Sequence, residues 1–220
     1  MATSTVEDYL KAILLEQERD AEVPVATGRL ATVLRVTPGT VTAMLKTLGD
    51  SGLVAYEPYG GARLTAPGRQ LALHVLRRHR LVELFLVQVV GLDWSEVHEE
   101  AERLEHAVSE RLIERMDEML GRPAVDPHGD PIPSANLKVK TLDYSTLAEA
   151  EVGVRYRVAR IADQAPEFLR LVEKVGLRPG KKVRLAARDG AADTLEVELD
   201  RGRRASLGLR AAEKIFVERV

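Results

Sequence analysis

The chain has 220 residues, 45% of them apolar and 30% charged, with a formal net charge of −2. That composition suits a soluble fold of one large or two to three small domains; no run nears the roughly 20 apolar residues of a membrane span, and the charge gives no global sign of nucleic-acid binding. With no cysteine, disulfides and thiolate ligands are excluded, so a bound metal must be held by nitrogen and oxygen donors.

The opening MATSTVEDYLKAILL lacks a basic leader before an apolar stretch, so no secretion signal is expected and the cytoplasm is the default location. Residues 5–19 read as a helix, with Thr5 a candidate cap and Tyr9, Leu10, Ile13 and Leu14 on one apolar stripe. A short second helix spans 27–34, with Leu30, Ala31, Val33 and Leu34 inward. Thr37-Pro38 opens a third, since threonine caps and proline suits a first helical turn. Val41, Met44, Leu45 and Leu48 face its core, leaving Thr40, Thr42, Ala43, Lys46 and Thr47 outside. A hairpin follows, Leu53–Tyr56 and Arg63–Thr65 around a Pro58-Tyr59-Gly60-Gly61 turn. Pro67-Gly68 starts a long helix to about Val90, and another runs from Trp94 or Ser95 to Leu120. Residues 121–136, with four prolines, read as a loop or linker. Alternation from Val152, a short helix at 166–175 and strand-like runs at 181–188, 194–199, 203–209 and 214–220 suggest a small barrel.

Two acid-and-histidine clusters stand out, His79-x3-Glu83 and His98-x3-Glu102-x2-Glu105-His106. Residues three and four apart share a helix face, so all four of the second cluster are expected on one arc of one helix. Imidazole and carboxylate converging from adjacent helices is how a bundle holds a divalent ion. The plainer reading is a solvated acidic face, because residues 95–118 hold nine acids against three bases. Two clusters a helix hairpin apart, holding three of the five histidines, weigh against it. His74 and His128 read as structural.

Helix, short helix, turn, helix, hairpin is the winged helix-turn-helix order, in which the second helix of the motif enters the major groove. Thr37, Gly39, Thr40, Thr42 and Ala43 suit base edges, because threonine donates or accepts there and its methyl packs on thymine. Lys46 and Thr47 fall near phosphates, and Arg63 of the hairpin reaches the DNA backbone. Thr5, Thr27, Arg29 and Pro38 complete the candidate DNA set. Locally, residues 24–71 carry Arg29, Arg35, Lys46, Arg63 and Arg69 against Asp50 and Glu57, a net +3. Residues 81–92 hold more apolar side chains than one stripe needs, which predicts a homodimer.

The stretch RRHRLVELFLVQVVGLDWSEVHEEAERLEHAVSERL followed by DPHGDPIP resembles the diphtheria-toxin-repressor/manganese-transport-regulator (DtxR/MntR) family of metal-dependent transcription regulators, over nearly all of the chain. The resemblance implies a mainly α fold with a small β domain. Its parts are a winged helix-turn-helix at 1–71, a helical dimerisation and metal domain at 72–143 with a Pro-rich linker at 121–143, and an SH3-like (FeoA-like) barrel at 144–220. It further implies one metal site of His79, Glu83 and His98 and another of Asp8, Glu102, Glu105 and His106. A loose match of DQAPEFLRL to a ligand-bearing helix of some members nominates Gln164 and Glu167. Iron-responsive members carry methionine and cysteine where this chain has Asp8 and Glu102, and hard oxygen donors suit Mn(II). Manganese-responsive members usually carry an acid at the position of Lys11.

The expected effector is therefore Mn(II), with Fe(II) second and Zn(II) or Co(II) binding in vitro. The expected partner is double-stranded operator DNA, with no membrane, no small organic substrate and no enzymatic activity. Repression of metal-uptake genes is the expected role. Mutual repulsion of Asp8, Glu102 and Glu105 would loosen the amino-terminal helix until an ion ties it down. A metal-blind winged-helix regulator is the alternative. A metallohydrolase is disfavoured by the lack of a nucleophile arrangement and of a phosphate-binding glycine loop.

Overall fold

The computed structural model describes residues 3–20, 23–140 and 143–220, with backbone alone for Arg19 and Arg201. Thr141 and Leu142, near the end of the expected linker, lie outside the described residues. The chain forms two compact units: Met1–His79 with Glu105–Val108 and Pro133–Lys138, and Arg80–Leu104 with Ser109–Ile132 and Val139–Val220.

In the first unit, α1 (Ser4–Arg19) is capped by Thr3, whose side chain accepts from Val6 N at 3.4 Å. The expected cap, Thr5, is instead exposed in the first turn. Leu10, Ile13 and Leu14 of α1 are fully buried. In α2 (Thr27–Leu34) Leu30 and Ala31 reach the core, but Val33 stays 41% exposed because eight residues carry a single inward stripe. α3 (Pro38–Asp50) starts as its sequence predicts, with Thr37 Oγ1 accepting from Thr40 N at 3.2 Å and Pro38 in the first turn. Val41, Leu45 and Leu48 are buried, and Met44 is half-buried.

The hairpin pairs β1 (Val54–Glu57) with β2 (Gly61–Leu64), and Val25 adds a single bridge to Ala62. Gly61 has φ +97°, and a Cβ there would meet Val25 O at 2.9 Å, so the positive φ and the close approach of the Pro24-Val25 segment both call for glycine. α4 (Ala66–Phe85) follows, with Gly68 packed so tightly on the Leu53 carbonyl that a Cβ would come within 1.9 Å of its oxygen.

In the second unit α4 runs on as a π-helical turn, Leu86–Val90, and stops at Gly91 in the left-handed region. The single helix expected from about 94 to 120 is two: α5 (Val97–Leu104) and α6 (Glu110–Met119). Ser109 restarts the chain by capping α6, accepting from Leu112 N at 3.4 Å. Helical periodicity across 98–106 continues through this break, which is why the pattern reads as one helix.

The SH3-like barrel expected for 144–220 is not formed. Its strands are β3 (Ser145–Thr146), β4 (Arg155–Ile161), β5 (Lys182–Asp189), β6 (Thr194–Glu198), β7 (Arg204–Gly208) and β8 (Ile215–Arg219). They make one open antiparallel sheet in the order β3-β8-β4-β5-β6-β7. Bulges at Val158/Arg160 and Leu185/Ala187 bend it. Closure needs edge strands long enough to meet after tilt and stagger, and β3 has two residues, so it offers β7 no ladder. A helix does the covering instead. Leu169 and Val172 of α7 (Pro166–Val175) join Val158, Leu185, Val197 and Val217 in the core of this sheet. A short α8 (Leu209–Ala212) leads into β8.

Candidate functional site

In the first unit, Asp8, Glu105 and His106 each offer a ligand atom within 4.8 Å of the others. Asp8 comes from α1, whereas Glu105 and His106 sit in the turn after α5, not on a common helix face with His98 and Glu102 as their spacing predicted. His106 is wedged between acids: Nδ1 lies 2.7 Å from Glu7 Oε2 and Nε2 lies 2.8 Å from Asp8 Oδ1. Both nitrogens must carry protons to bond two carboxylates, so the ring is an imidazolium. Burial opposes that charge, but the Glu7 hydrogen bond and the charges of Glu105 and Asp8 outweigh it and raise the His106 pKa.

Glu105 is fully buried and engaged at both oxygens. Lys11 Nζ donates to Oε1 at 2.6 Å, and His79 Nδ1 lies 2.5 Å from Oε2. Burial would raise its pKa, yet the bonds and charges of His79 and Lys11 leave it lowered. The acids of this cluster therefore have cationic partners within the protein. The expected repulsion between Asp8 and Glu105 is countered by Lys11 and His106, which tie α1 to the 105–108 turn.

In the second unit, Glu83, 1% exposed, sits one turn beyond His79 on α4 and lies 3.1 Å from His98 Nδ1. On α5, Glu102 Oε1 is 3.7 Å from His98 Nε2. A further cluster lies where the sequence suggested a linker: Glu83, Asp126 and His128, all buried, also place ligand atoms within 4.8 Å of one another. The segment Asp126-Pro-His-Gly-Asp130 is a tight knot in which Asp126 Oδ1 accepts from His128 N at 2.8 Å and Asp130 N at 2.9 Å. His128 Nε2 lies 2.9 Å from the Trp94 carbonyl, which can only accept, so Nε2 carries a proton and, in the neutral ring, Nδ1 is the nitrogen with the lone pair.

That Nδ1 and Asp126 Oδ2 are buried without a hydrogen-bond partner, and Nδ1 is 4.0 Å from Glu83 Oε2. Burial, with Asp130 and Glu83 nearby, pushes the Asp126 carboxyl well above its ordinary range. Orphaned buried acceptors of this kind are costly without a ligand, and an imidazole fixed in its tautomer by a carbonyl is the usual supporting arrangement for a metal-binding histidine. The indole of Trp94 stacks on the same ring at 5.5 Å. The signal available in the sequence was Asp and His two apart beside a glycine, inside a run that its prolines made look like spacer.

Gln164 gives its amide to Asp130 Oδ2 at 2.7 Å, and Glu167 is exposed in the first turn of α7. Among the described residues Glu167 belongs to neither of these clusters. Arg160 Nε approaches Asp130 Oδ1 at 2.6 Å but off the hydrogen-bonding direction, so the contact is ionic.

Thr37, Pro38, Gly39, Thr40, Ala43, Lys46 and Thr47 form the exposed face and start of α3, with Thr42 half-buried beside them. The hydroxyls of Thr42 and Thr47 donate to Pro38 O (3.0 Å) and Ala43 O (3.2 Å), leaving only lone pairs to offer outward. Arg29 is held by Glu16, at 2.5 Å from Nε and 3.0 Å from Nη2. Thr27 is half-buried, Thr5 is exposed, and Arg63 sits half-buried on β2.

Three family descriptions match the chain: the N-terminal DNA-binding domain of iron-dependent repressors at residues 1–62, their metal-binding and dimerisation domain at 65–134, and a FeoA domain at 145–219. An iron-dependent repressor of Mycobacterium leprae is 32% identical over 81% of this chain and 82% of its own length. A diphtheria toxin repressor of Corynebacterium jeikeium is 30% identical over 90% of both. Among solved structures, a manganese-dependent transcriptional repressor in complex with manganese superposes with a TM-score of 0.86 at 40% identity, covering 98% of this chain and 100% of that one. No helix among the described residues is long and apolar enough to cross a membrane.

Proposed function

The chain belongs to the DtxR/IdeR/MntR family of metal-dependent transcriptional repressors, and from that premise we propose that it is a homodimeric repressor of metal-uptake genes whose effector is Mn(II), with Fe(II) second. It is a metal-responsive DNA-binding regulator, not an enzyme. The observation that carries the choice of ion is the donor set: both clusters offer carboxylate oxygen and imidazole nitrogen, and no sulfur. Hard oxygen donors favour Mn(II) over softer ions, although Zn(II) and Co(II) bind such sites tightly by intrinsic affinity.

Asp8, Glu105 and His106, joined by Glu102, would hold one ion, the His106 ring giving up one of its two protons to do so. Glu83 would serve a second, with His79 and His98 or with Asp126 and His128; the fixed His128 tautomer favours the latter pair. The ion supplies positive charge to buried carboxylates. The protein's part is to order the segments that carry them, since Asp8 belongs to α1 of the reading unit and Glu105 and His106 to the turn packed with it. Fixing α1 fixes the platform beneath α3, whose Thr37, Pro38, Gly39, Thr40, Thr42 and Ala43 read the major groove while Lys46, Thr47 and Arg63 meet phosphate. Exposed Val89, Val90 and Leu92 support a dimer in which a second copy covers them.

The test is fluorescence anisotropy on stripped protein with the duplex upstream of its own gene, adding Mn(II), Fe(II), Zn(II) or Mg(II) anaerobically. Tight binding with Mn(II) or Fe(II) alone is expected. Equal binding with and without metal would leave a metal-blind winged helix.

A further inference from the structure

Trp94 is the only tryptophan of the chain and is 2% exposed. It stands in the turn before α5, where Asp93 Oδ1 accepts from Ser95 N at 2.8 Å and from Ser95 Oγ at 2.6 Å, which fixes the backbone on either side of it. Two separate parts of the residue meet His128. Its carbonyl accepts from Nε2 at 2.9 Å, and its indole lies on the imidazole with centroids 5.5 Å apart and planes 28° from parallel. The carbonyl decides which nitrogen carries a proton. The indole restrains the tilt of the ring about that bond.

The indole is held in turn by the C-terminal sheet domain. Glu173 of α7 accepts from Trp94 Nε1 at 3.1 Å through Oε2 and from Arg178 Nη2 through Oε1. The Arg178 guanidinium also lies over the indole, 4.9 Å from its centre. Indole N–H can only donate, so an acceptor on α7 fixes the rotation of the ring. Leu169 and Val172 of the same helix share a core with Trp94.

We propose that Trp94 is a positioning residue for the ion of Glu83, Asp126 and His128: its indole keeps the His128 ring aimed, and Glu173 with Arg178 keeps the indole in place. This rests on reading those three side chains as an ion site, and it adds what aims the imidazole and how that aim depends on α7. Trp94 acts through His128 and supplies no ligand atom. The indole also gives the site a signal of its own. An Mn(II) ion on His128 Nδ1 lies one ring away from the chain's only tryptophan, and a paramagnetic ion that close quenches its emission.

The experiment titrates the stripped full chain with Mn(II) anaerobically, following tryptophan emission and calorimetry in parallel. Emission of the parent should fall as the knot fills, and His128→Ala should lose that fall while still binding the ion of Asp8, Glu105 and His106. Trp94→Leu should bind one Mn(II) about tenfold more weakly, as loss of a residue supporting a ligand does, and the other unchanged. Trp94→Phe puts a ring back over the imidazole and should bind both ions like the parent. Glu173→Ala alters a side chain 41% exposed, so it should fold, weaken the same ion and shift the emission in chelator. Full affinity for both ions in Trp94→Leu and Glu173→Ala would overturn the proposal, as would a loss in Trp94→Leu that Trp94→Phe shares. Should Trp94→Leu fail to fold, Glu173→Ala decides. A parent that binds a single Mn(II) with its emission unchanged would overturn the ion-site reading together with the proposal.

Discussion

Replacing Gly129 by alanine tests whether the Asp126–Asp130 knot is a built site or a passive loop. Gly129 has φ +89°, which costs an L residue roughly 1 kcal/mol. The added Cβ would lie 2.0 Å from Ala159 O and 2.7 Å from Arg160 Cα, both backbone atoms of β4 that no rotamer change can clear. Overpacking of that kind costs about 1–3 kcal/mol, so the two effects together predict a loss of about 2–4 kcal/mol. The knot must also shift, and His128 O, which accepts from Ile161 N at 2.8 Å, moves with it. His128 Nδ1 then loses its aim at Glu83 and Asp126. Urea unfolding with chelator present reads the stability, and Mn(II) calorimetry reads the ion. Gly190→Ala is the control, because its Cβ meets nothing within 4 Å and its φ is ordinary. A Gly129→Ala protein as stable as Gly190→Ala, with its full complement of Mn(II), would refute the reasoning.

Three further outcomes are expected. Asp126→Asn and His128→Ala should each remove one Mn(II) per chain by calorimetry while leaving the ion of Asp8, Glu105 and His106 in place; full stoichiometry in both would exclude the knot as a ligand set. Val89→Asp with Leu92→Asp should shift the protein to monomer in sedimentation equilibrium, since these side chains are 50% and 38% exposed on the single chain, and a persisting dimer would move the interface elsewhere. In chelator, unfolding stability should form a plateau in pH. His106, raised above its ordinary 6.5, stabilises fully below that value and loses its contribution as pH rises through its folded pKa. Glu105, lowered from 4.5, stabilises above that value and loses its contribution as pH falls through its folded pKa. His106→Ala should flatten the alkaline limb and leave the acid limb; an unchanged alkaline limb would mean that the imidazolium does not hold α1.

Where local rules and packing agree, the sequence reads true. Thr37-Pro38 and the Val41/Leu45/Leu48 stripe locate α3 to the residue, because cap, proline and burial all depend on neighbours a few positions apart. The wing reads correctly for the same reason, its Pro-Tyr-Gly-Gly run being a local turn signal, with Gly61 at a positive φ. The break at 105–109 is different. Nothing in HEEAERLEHAVSERL stops a helix by propensity, and the turn follows from packing of Glu105–Val108 into the first unit, which is tertiary information. Barrel closure fails for a related reason: strand alternation reports which side chains point inward but not whether the edge strands are long enough to meet. Asp126 and His128 were visible as residues yet hidden as a site, since prolines announce irregular backbone and say nothing about whether that backbone is buried.

The raised carboxyl of Asp126 gives the proposed centre a second currency besides metal. Because burial disfavours the charged form of Asp126, a cation entering between Glu83, Asp126 and His128 would compete there with a proton instead of simply filling a space. Metal and proton would then oppose one another at the knot, so its affinity for an ion would fall as the medium becomes more acidic. Through this one aspartic acid, acidification at constant free metal would act on the proposed centre in the same sense as a fall in metal.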